Sequence, residues 1–229
     1  MGRTISFERP DGKSVPGYLA EPGGGNAPGV VVIQEWWGMN AQIKGVADRM
    51  AAAGYRAVVP DLYRGKVAVE AKEAEHLMGN LDFGDAASQD VRGAVQYLKQ
   101  ASPKVGVTGY CMGGALTILA ACFVPEVDAA VAWYGFPPLE YVNPQAIKAP
   151  LMGHFAIHDG FFKIEQVDQL EQKLKAAGVR STFHRYDAGH AFANETLVGD
   201  KKLPVAEYNA SAADLAWQRT MEFFGRQLR

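Results

Sequence analysis

Two periodicities run through the chain, and they take turns. Residues 4–8 and 15–21 alternate polar with apolar around a turn at Asp11-Gly12, the pattern of an antiparallel strand pair with one wet face. Gly29-Val30-Val31-Val32-Ile33 is apolar without alternation, as expected of a strand covered on both faces of a parallel sheet. Asn40 then offers a side-chain cap to a helix whose Ile43, Val46, Ala47 and Met50 recur at helical spacing, with Gly54 as its stop. The spacing predicts a strand over 55–59, a polar helix over 69–78, and a helix over 85–100 carrying Val91, Ala94, Val95 and Leu98 on one stripe. A buried strand begins at Val105 and an apolar helix covers 115–124. Strands follow over 128–133, 151–157 and 180–186, separated by a helix over 164–177 that turns Val167, Leu170 and Leu174 inward. A last helix is expected to bury Trp217, Met221, Phe224 and Leu228. This alternation predicts one α/β domain over 1–229, built on a mostly parallel sheet of about seven to eight strands with helices on both faces. Sheets of that kind bind ligands beyond the carboxyl ends of their strands. Glu35, Cys111, Tyr134, Asp159 and His190 all fall at such ends.

Composition narrows the class. The 229 residues are 48% apolar and 21% charged with a formal net charge of −2, which gives no reason to expect nucleic acid or an anionic membrane as partner. No apolar run approaches the ~18 residues of a bilayer span. The N-terminal stretch carries Arg3, Glu8, Arg9 and Asp11 with no apolar core, so a secretory signal is not expected and a cytoplasmic enzyme, most simply a monomer, is. Met1-Gly2 with Ser6 fits a myristoylation pattern, and an alternating strand accounts for the same residues. Cys111 and Cys122 lie three helical turns apart, about 16 Å, too far for an intrachain disulfide. Cys122 reads as a small apolar core residue.

The chemistry centres on Gly109-Tyr110-Cys111-Met112-Gly113, a strand turning abruptly into a helix. Glycines two residues before and after the thiol suit a turn with no room for a Cβ. This is the nucleophile elbow G-x-S-x-G with sulfur for oxygen, and it points the Met112 N–H into the same space as an oxyanion donor. A thiol needs a base or a positive field to become the thiolate. His190 is the candidate base, and Asp159 can accept its other ring N–H and set the tautomer. The order nucleophile, acid, histidine is that of the α/β-hydrolases. His154 and His158 lack the H-E-x-x-H glutamate and predict no zinc, and no dinucleotide or phosphate loop calls for a cofactor. Trp36, Trp37, Phe161 and Phe162 either line an apolar pocket or plug the core.

Taken together, Gln34-Glu35-Trp36-Trp37-Gly38, Pro60-Asp61-Leu62-Tyr63, Gly109 to Gly114, Tyr134-Gly135 and Gly189-His190-Ala191-Phe192 resemble the dienelactone hydrolase family of α/β-hydrolases over nearly the whole chain. The resemblance implies a Cys-His-Asp triad of Cys111, His190 and Asp159, with Glu35 beside the thiol as a proton-handling group. It implies that Trp36 supplies the second oxyanion N–H, with Trp37, Tyr134 and Asn194 contacting substrate. It implies hydrolysis of a cyclic enol ester that bears a carboxylate. The sequence departs from the family at the carboxylate-gripping arginines: Asn194 stands in one place and the other falls near Ala71, with Lys72 or Arg64 as the cations at hand. A pocket without them favours neutral esters or lactones. Two readings of Cys111 stay open from the residues alone, a hydrolase and a redox-sensing protein of the same fold, and turnover of p-nitrophenyl acetate separates them.

Overall fold

The computed structural model describes residues 2–199 and 205–229; Met1, part of the N-terminal pattern noted above, lies outside them. Among the described residues eight strands form one sheet: β1 (Arg3–Glu8), β2 (Ser14–Ala20), β3 (Gly29–Ile33), β4 (Arg56–Pro60), β5 (Val105–Tyr110), β6 (Ala129–Trp133), β7 (Leu151–Ala156) and β8 (Ser181–Tyr186). Their spatial order is β1-β2-β4-β3-β5-β6-β7-β8. The first two strands run antiparallel to their neighbours, and every pairing from β4 to β8 is parallel.

The helices are α1 (Ala41–Ala52), α2 (Ala71–Gly79), α3 (83–99), α4 (Met112–Phe123), α5 (Ile164–Ala176) and α6 (Ala210–Leu228). The period of two along the strands decides which face each side chain joins. Val31 and Ile33 enter the core beneath α3, α4 and α5, whereas Val30 and Val32 enter the core beneath α1 and α6. All five residues of β3 and all six of β5 are buried, which accounts for the unbroken apolar run of β3. Asn40 caps α1 through a bond from the Ile43 N–H to its Oδ1, as its position predicts.

Three expectations need correction. The helix expected over 85–100 begins at Phe83, capped by Asp82, and its stretch Ala86–Val91 is wound as π-helix. That stretch holds the buried Asp90, which accepts from Arg9 at 3.0 Å and Arg64 at 2.7 Å. The helix expected from 115 already starts at Met112, directly after the thiol. In α6 the buried stripe is Ala212, Ala216, Thr220, Phe223, Phe224 and Leu228, with Trp217 and Met221 half-buried at its margin. The guanidinium of Arg49 on α1 packs over Trp217, 4.6 Å from its ring centre, so a charged residue covers part of that ring.

The strand order sets the place of the site. The chain leaves β3 for β4 on one side, then returns to β5 on the other. Connections from β3 and from β5 therefore diverge, and a crevice opens beyond their carboxyl ends. Glu35 and Trp36 follow β3; Cys111 follows β5.

Candidate active site

Cys111 is the hinge between β5 and α4, with φ 54° and ψ −115°. A side-chain-bearing residue rarely holds such a backbone, and the neighbours enforce it. A Cβ on Gly109 would meet the carbonyl of Gly113, and one on Gly113 would meet the carbonyls of Ile33 and Gln34 at 2.5 and 2.6 Å. Gly135 is pressed against the Cys111 carbonyl itself. Five described non-glycine residues have positive φ, and three of them, Cys111, Tyr134 and Ala191, surround this crevice. Strain concentrated there is characteristic of sites whose geometry the rest of the fold maintains.

From the thiol a continuous hydrogen-bonded line runs inward. His190 Nε2 lies 3.1 Å from Cys111 Sγ, and His190 Nδ1 lies 2.7 Å from Asp159 Oδ2. The second oxygen, Asp159 Oδ1, accepts from the N–H groups of Phe161 and Phe162 at 2.8 and 2.9 Å, which leaves the carboxylate no freedom to turn. Asp159 and His190 are both buried, and the thiol is half-exposed. The rings of Phe161, Phe162 and Tyr134 pack around the imidazole at 5.0, 5.6 and 5.3 Å. Burial of this kind would lower the pKa of His190. The negative charge of a Cys111 thiolate and the bond to Asp159 outweigh it and push the imidazole up to about 10.

Trp36 and Met112 line the same cavity as Cys111, and each carries a main-chain N–H without an acceptor among the described residues. The N–H of Met112 is the first of α4, where no intrahelical acceptor exists. The N–H of Trp36 likewise finds no acceptor among the described residues.

Glu35 is 4% exposed and lies on the wall of the same crevice as Cys111. Tyr134 Oη donates to its Oε1 at 3.3 Å and Asn194 Nδ2 to its Oε2 at 2.7 Å. Burial raises its pKa, opposed by His190 and by the two donors. No hydrogen bond joins Glu35 to the thiol among the described residues; its oxygens accept from Tyr134 and Asn194.

Those two residues therefore have another place than the one expected. Tyr134 and Asn194 are 0% and 1% exposed, hydrogen-bond Glu35 and are not among the residues that line the cavity. Asn194 Oδ1 is occupied by the N–H and hydroxyl of Thr196 at 3.0 and 2.6 Å. Trp37 does line the crevice, its ring edge-on to Trp36 at 5.1 Å, and Phe161 and Phe162 line it too. The cations also resolve. Arg64 is turned away onto the Asp61 carbonyl and Asp90, and neither it nor Lys72 reaches the crevice wall.

The crevice is a cavity of about 720 Å³. The sequence reading missed much of its wall, including Leu119 and Phe123 of α4 and Phe136 and Tyr141 after β6. Their apolar character was legible and pointed equally well to core.

Comparison with known proteins adds the lineage. The profile of the dienelactone hydrolase family matches residues 15–228. A protein of Aquifex pyrophilus named protein usf is 36% identical over 239 residues, covering all of both chains. A protein of Aquifex aeolicus that bears the provisional name carboxymethylenebutenolidase is 32% identical, again over the whole of both. Among solved structures, a provisionally named dienelactone hydrolase from Klebsiella pneumoniae superposes with a TM-score of 0.84 at 26% identity, over 98% of this chain and 99% of that one. A dienelactone hydrolase-like promiscuous phosphotriesterase from metagenomic libraries shares the fold with a TM-score of 0.87 at 21% identity, over 100% and 99%.

Proposed function

This chain belongs to the dienelactone hydrolase family and has its α/β-hydrolase fold, and from that premise we propose that it cleaves neutral carboxylic esters or lactones through Cys111, His190 and Asp159. The observation that carries this reading is the unbroken line from Cys111 Sγ through His190 to Asp159 at the base of an apolar cavity.

The steps follow from the atoms present. His190 Nε2 takes the thiol proton, and the Cys111 thiolate attacks the carbonyl carbon. The oxygen that becomes negative lies between the N–H groups of Trp36 and Met112, which have no acceptor to give up before they bind it. As the tetrahedral adduct collapses, the C–O bond to the alcohol breaks and His190 passes its proton to the departing oxygen. The acyl group is left as a thioester on Cys111. His190 then deprotonates a water, which attacks the thioester, and the thiol is restored as the acid departs. For a lactone the leaving oxygen stays tethered to the acyl group. Asp159 remains an anion throughout; its part is to hold Nδ1–H so that Nε2 faces sulfur.

Glu35 is assigned the second proton-handling role. Burial raises its pKa and so favours its protonated form, which lets it exchange a proton with groups that enter the cavity. Tyr134 and Asn194 are positioning residues for that carboxyl. Trp37 forms part of the substrate wall. No step calls for a cofactor or metal. The whole chain acts as one domain in this scheme, on a small-molecule substrate; no helix among the described residues is long and apolar enough to cross a membrane.

Turnover of p-nitrophenyl acetate tests the reading against a Cys111→Ala control. Equal rates in both proteins would remove Cys111 as nucleophile and return the thiol to the redox-sensing alternative.

A further inference from the structure

The cavity does not stop at the reactive atoms. Met112, Ala115, Leu119 and Phe123 all line it, and they follow one another at spacings of three, four and four along α4. Those spacings place them on one face of the helix, one turn above another. Eleven residues at ~1.5 Å each make this stripe about 16 Å long. It starts beside Cys111 and ends at Phe123, which is 43% exposed. Phe136, Pro137, Pro138 and Tyr141 after β6, and Met78 and Phe83 of α2 and α3, line the same cavity. Tyr141, which also lines it, is 62% exposed, so the trough opens to solvent.

Its polar lining is sparse: His190 bonds the sulfur, Glu35 lines the same cavity and Asp82 is exposed, and no lysine or arginine lines it among the described residues. An anionic substrate tail would find no counter-charge and would lose its hydration shell.

We infer that this trough is an acyl-chain channel, and that the preferred substrates are esters of unbranched aliphatic acids with about eight to twelve carbons. An extended alkyl chain built of ~1.5 Å bonds advances about 1.25 Å per carbon, so a twelve-carbon chain spans the stripe. The carbonyl lies at Cys111, the chain runs along Ala115 and Leu119, and its terminal methyl reaches Phe123. This inference rests on the hydrolase reading for the placement of the ester carbon, and it deepens that reading by naming the acid half of the substrate. A fully buried methylene contributes roughly three- to fourfold in affinity. Even half that gain per carbon predicts a rise of kcat/KM by roughly 50-fold from butanoate to decanoate, with no further gain beyond dodecanoate, where added carbons reach water.

The test uses p-nitrophenyl esters from acetate to hexadecanoate on the full-length protein, Leu119→Trp and Tyr141→Glu. Leu119→Trp fills the trough halfway; Tyr141→Glu puts a charge at its exposed end and leaves the core untouched. Both are expected to lower the decanoate-to-butanoate ratio of kcat/KM by about tenfold or more. In parallel, 2-hexanone and 2-dodecanone are titrated into Cys111→Ala, read by the fluorescence of Trp36 and Trp37. The longer ketone is expected to bind at least about 50-fold more tightly. Hydrolysis of acetate with a flat or falling chain-length profile would overturn the channel and leave the hydrolase reading standing. Should no ester of any length be cleaved, that reading falls, and the ketones decide the channel alone: tighter binding of 2-dodecanone supports it, equal binding overturns it.

Discussion

Replacing Asp159 by Asn changes one atom and separates geometry from charge at the centre of the site. Asn can keep its oxygen on the N–H groups of Phe161 and Phe162, where Oδ1 now accepts at 2.8 and 2.9 Å. Its NH₂ then faces His190 Nδ1, where Oδ2 stood at 2.7 Å. A donor in that position forces Nδ1 to accept, so the ring proton moves to Nε2 and points at Cys111 Sγ. The imidazole can no longer take the thiol proton. The same exchange in a serine triad costs about 10⁴-fold in kcat; a thiol, the better intrinsic nucleophile, places the expected loss of kcat/KM at roughly 10²- to 10⁴-fold. Loss of one charge-assisted bond, offset by relief of a buried charge, should change stability by about 1–2 kcal/mol, or roughly 2–8 °C in Tm. The pH profile gives a second readout. His190 is held up to about 10, by the Cys111 charge first and by Asp159 next, against the opposing effect of burial. Its proton is needed by the leaving group, so activity falls as pH rises past that value, and Asp159→Asn should bring the alkaline limb to lower pH. The assay is p-nitrophenyl ester hydrolysis from pH 6 to 11, with ¹⁵N shifts of His190 to report the tautomer. Activity within about threefold of wild type and an unmoved alkaline limb would refute the role given to Asp159.

Mild iodoacetamide should label Cys111 and abolish turnover in parallel, sparing Cys122, whose thiol is buried and raised in pKa by that burial; peptide mapping against residual activity checks this, and first labelling of Cys122 would count against the nucleophile. Glu35→Gln should lower ester hydrolysis by roughly 10²-fold or more, yet stabilise the fold at neutral pH. Burial raises the Glu35 pKa, so the wild type loses stability as pH climbs from the carboxyl's ordinary 4.5 through its raised value, and the amide does not; melting curves should diverge above pH 5 and converge below it. Gly135→Ala drives a methyl into the Cys111 carbonyl, with an expected cost of about 1–3 kcal/mol and a fall in kcat of roughly 10²-fold if the sulfur shifts by about 1 Å; an unchanged kcat with an unchanged Tm would show that the elbow tolerates the displacement.

Residue pattern alone carried the strands, most helices and the order of the reacting groups. Unbroken apolar runs such as Val30 to Ile33 require cover on both faces, and the glycines around Cys111 require a turn without Cβ atoms, so these features are local and legible. Asn194 was not. It reads as a neutral substitute for a substrate-binding arginine, but its partner is Glu35, 159 residues away, and only folding brings the two to 2.7 Å. Tyr134 was likewise drawn to the site by its strand end, and only the fold brings its hydroxyl to Glu35. Trp217 failed for the same cause, since the surface that covers it is Arg49 of another helix. The channel marks the boundary most clearly. Residues 112 to 122 of α4 are buried all round, so periodicity assigns every one to the core. Whether Leu119 faces packed side chains or open space depends on how far Phe136 to Tyr141 and the end of α2 stand off from it. That distance is set by elements remote in sequence, and no local pattern of apolar residues can encode it.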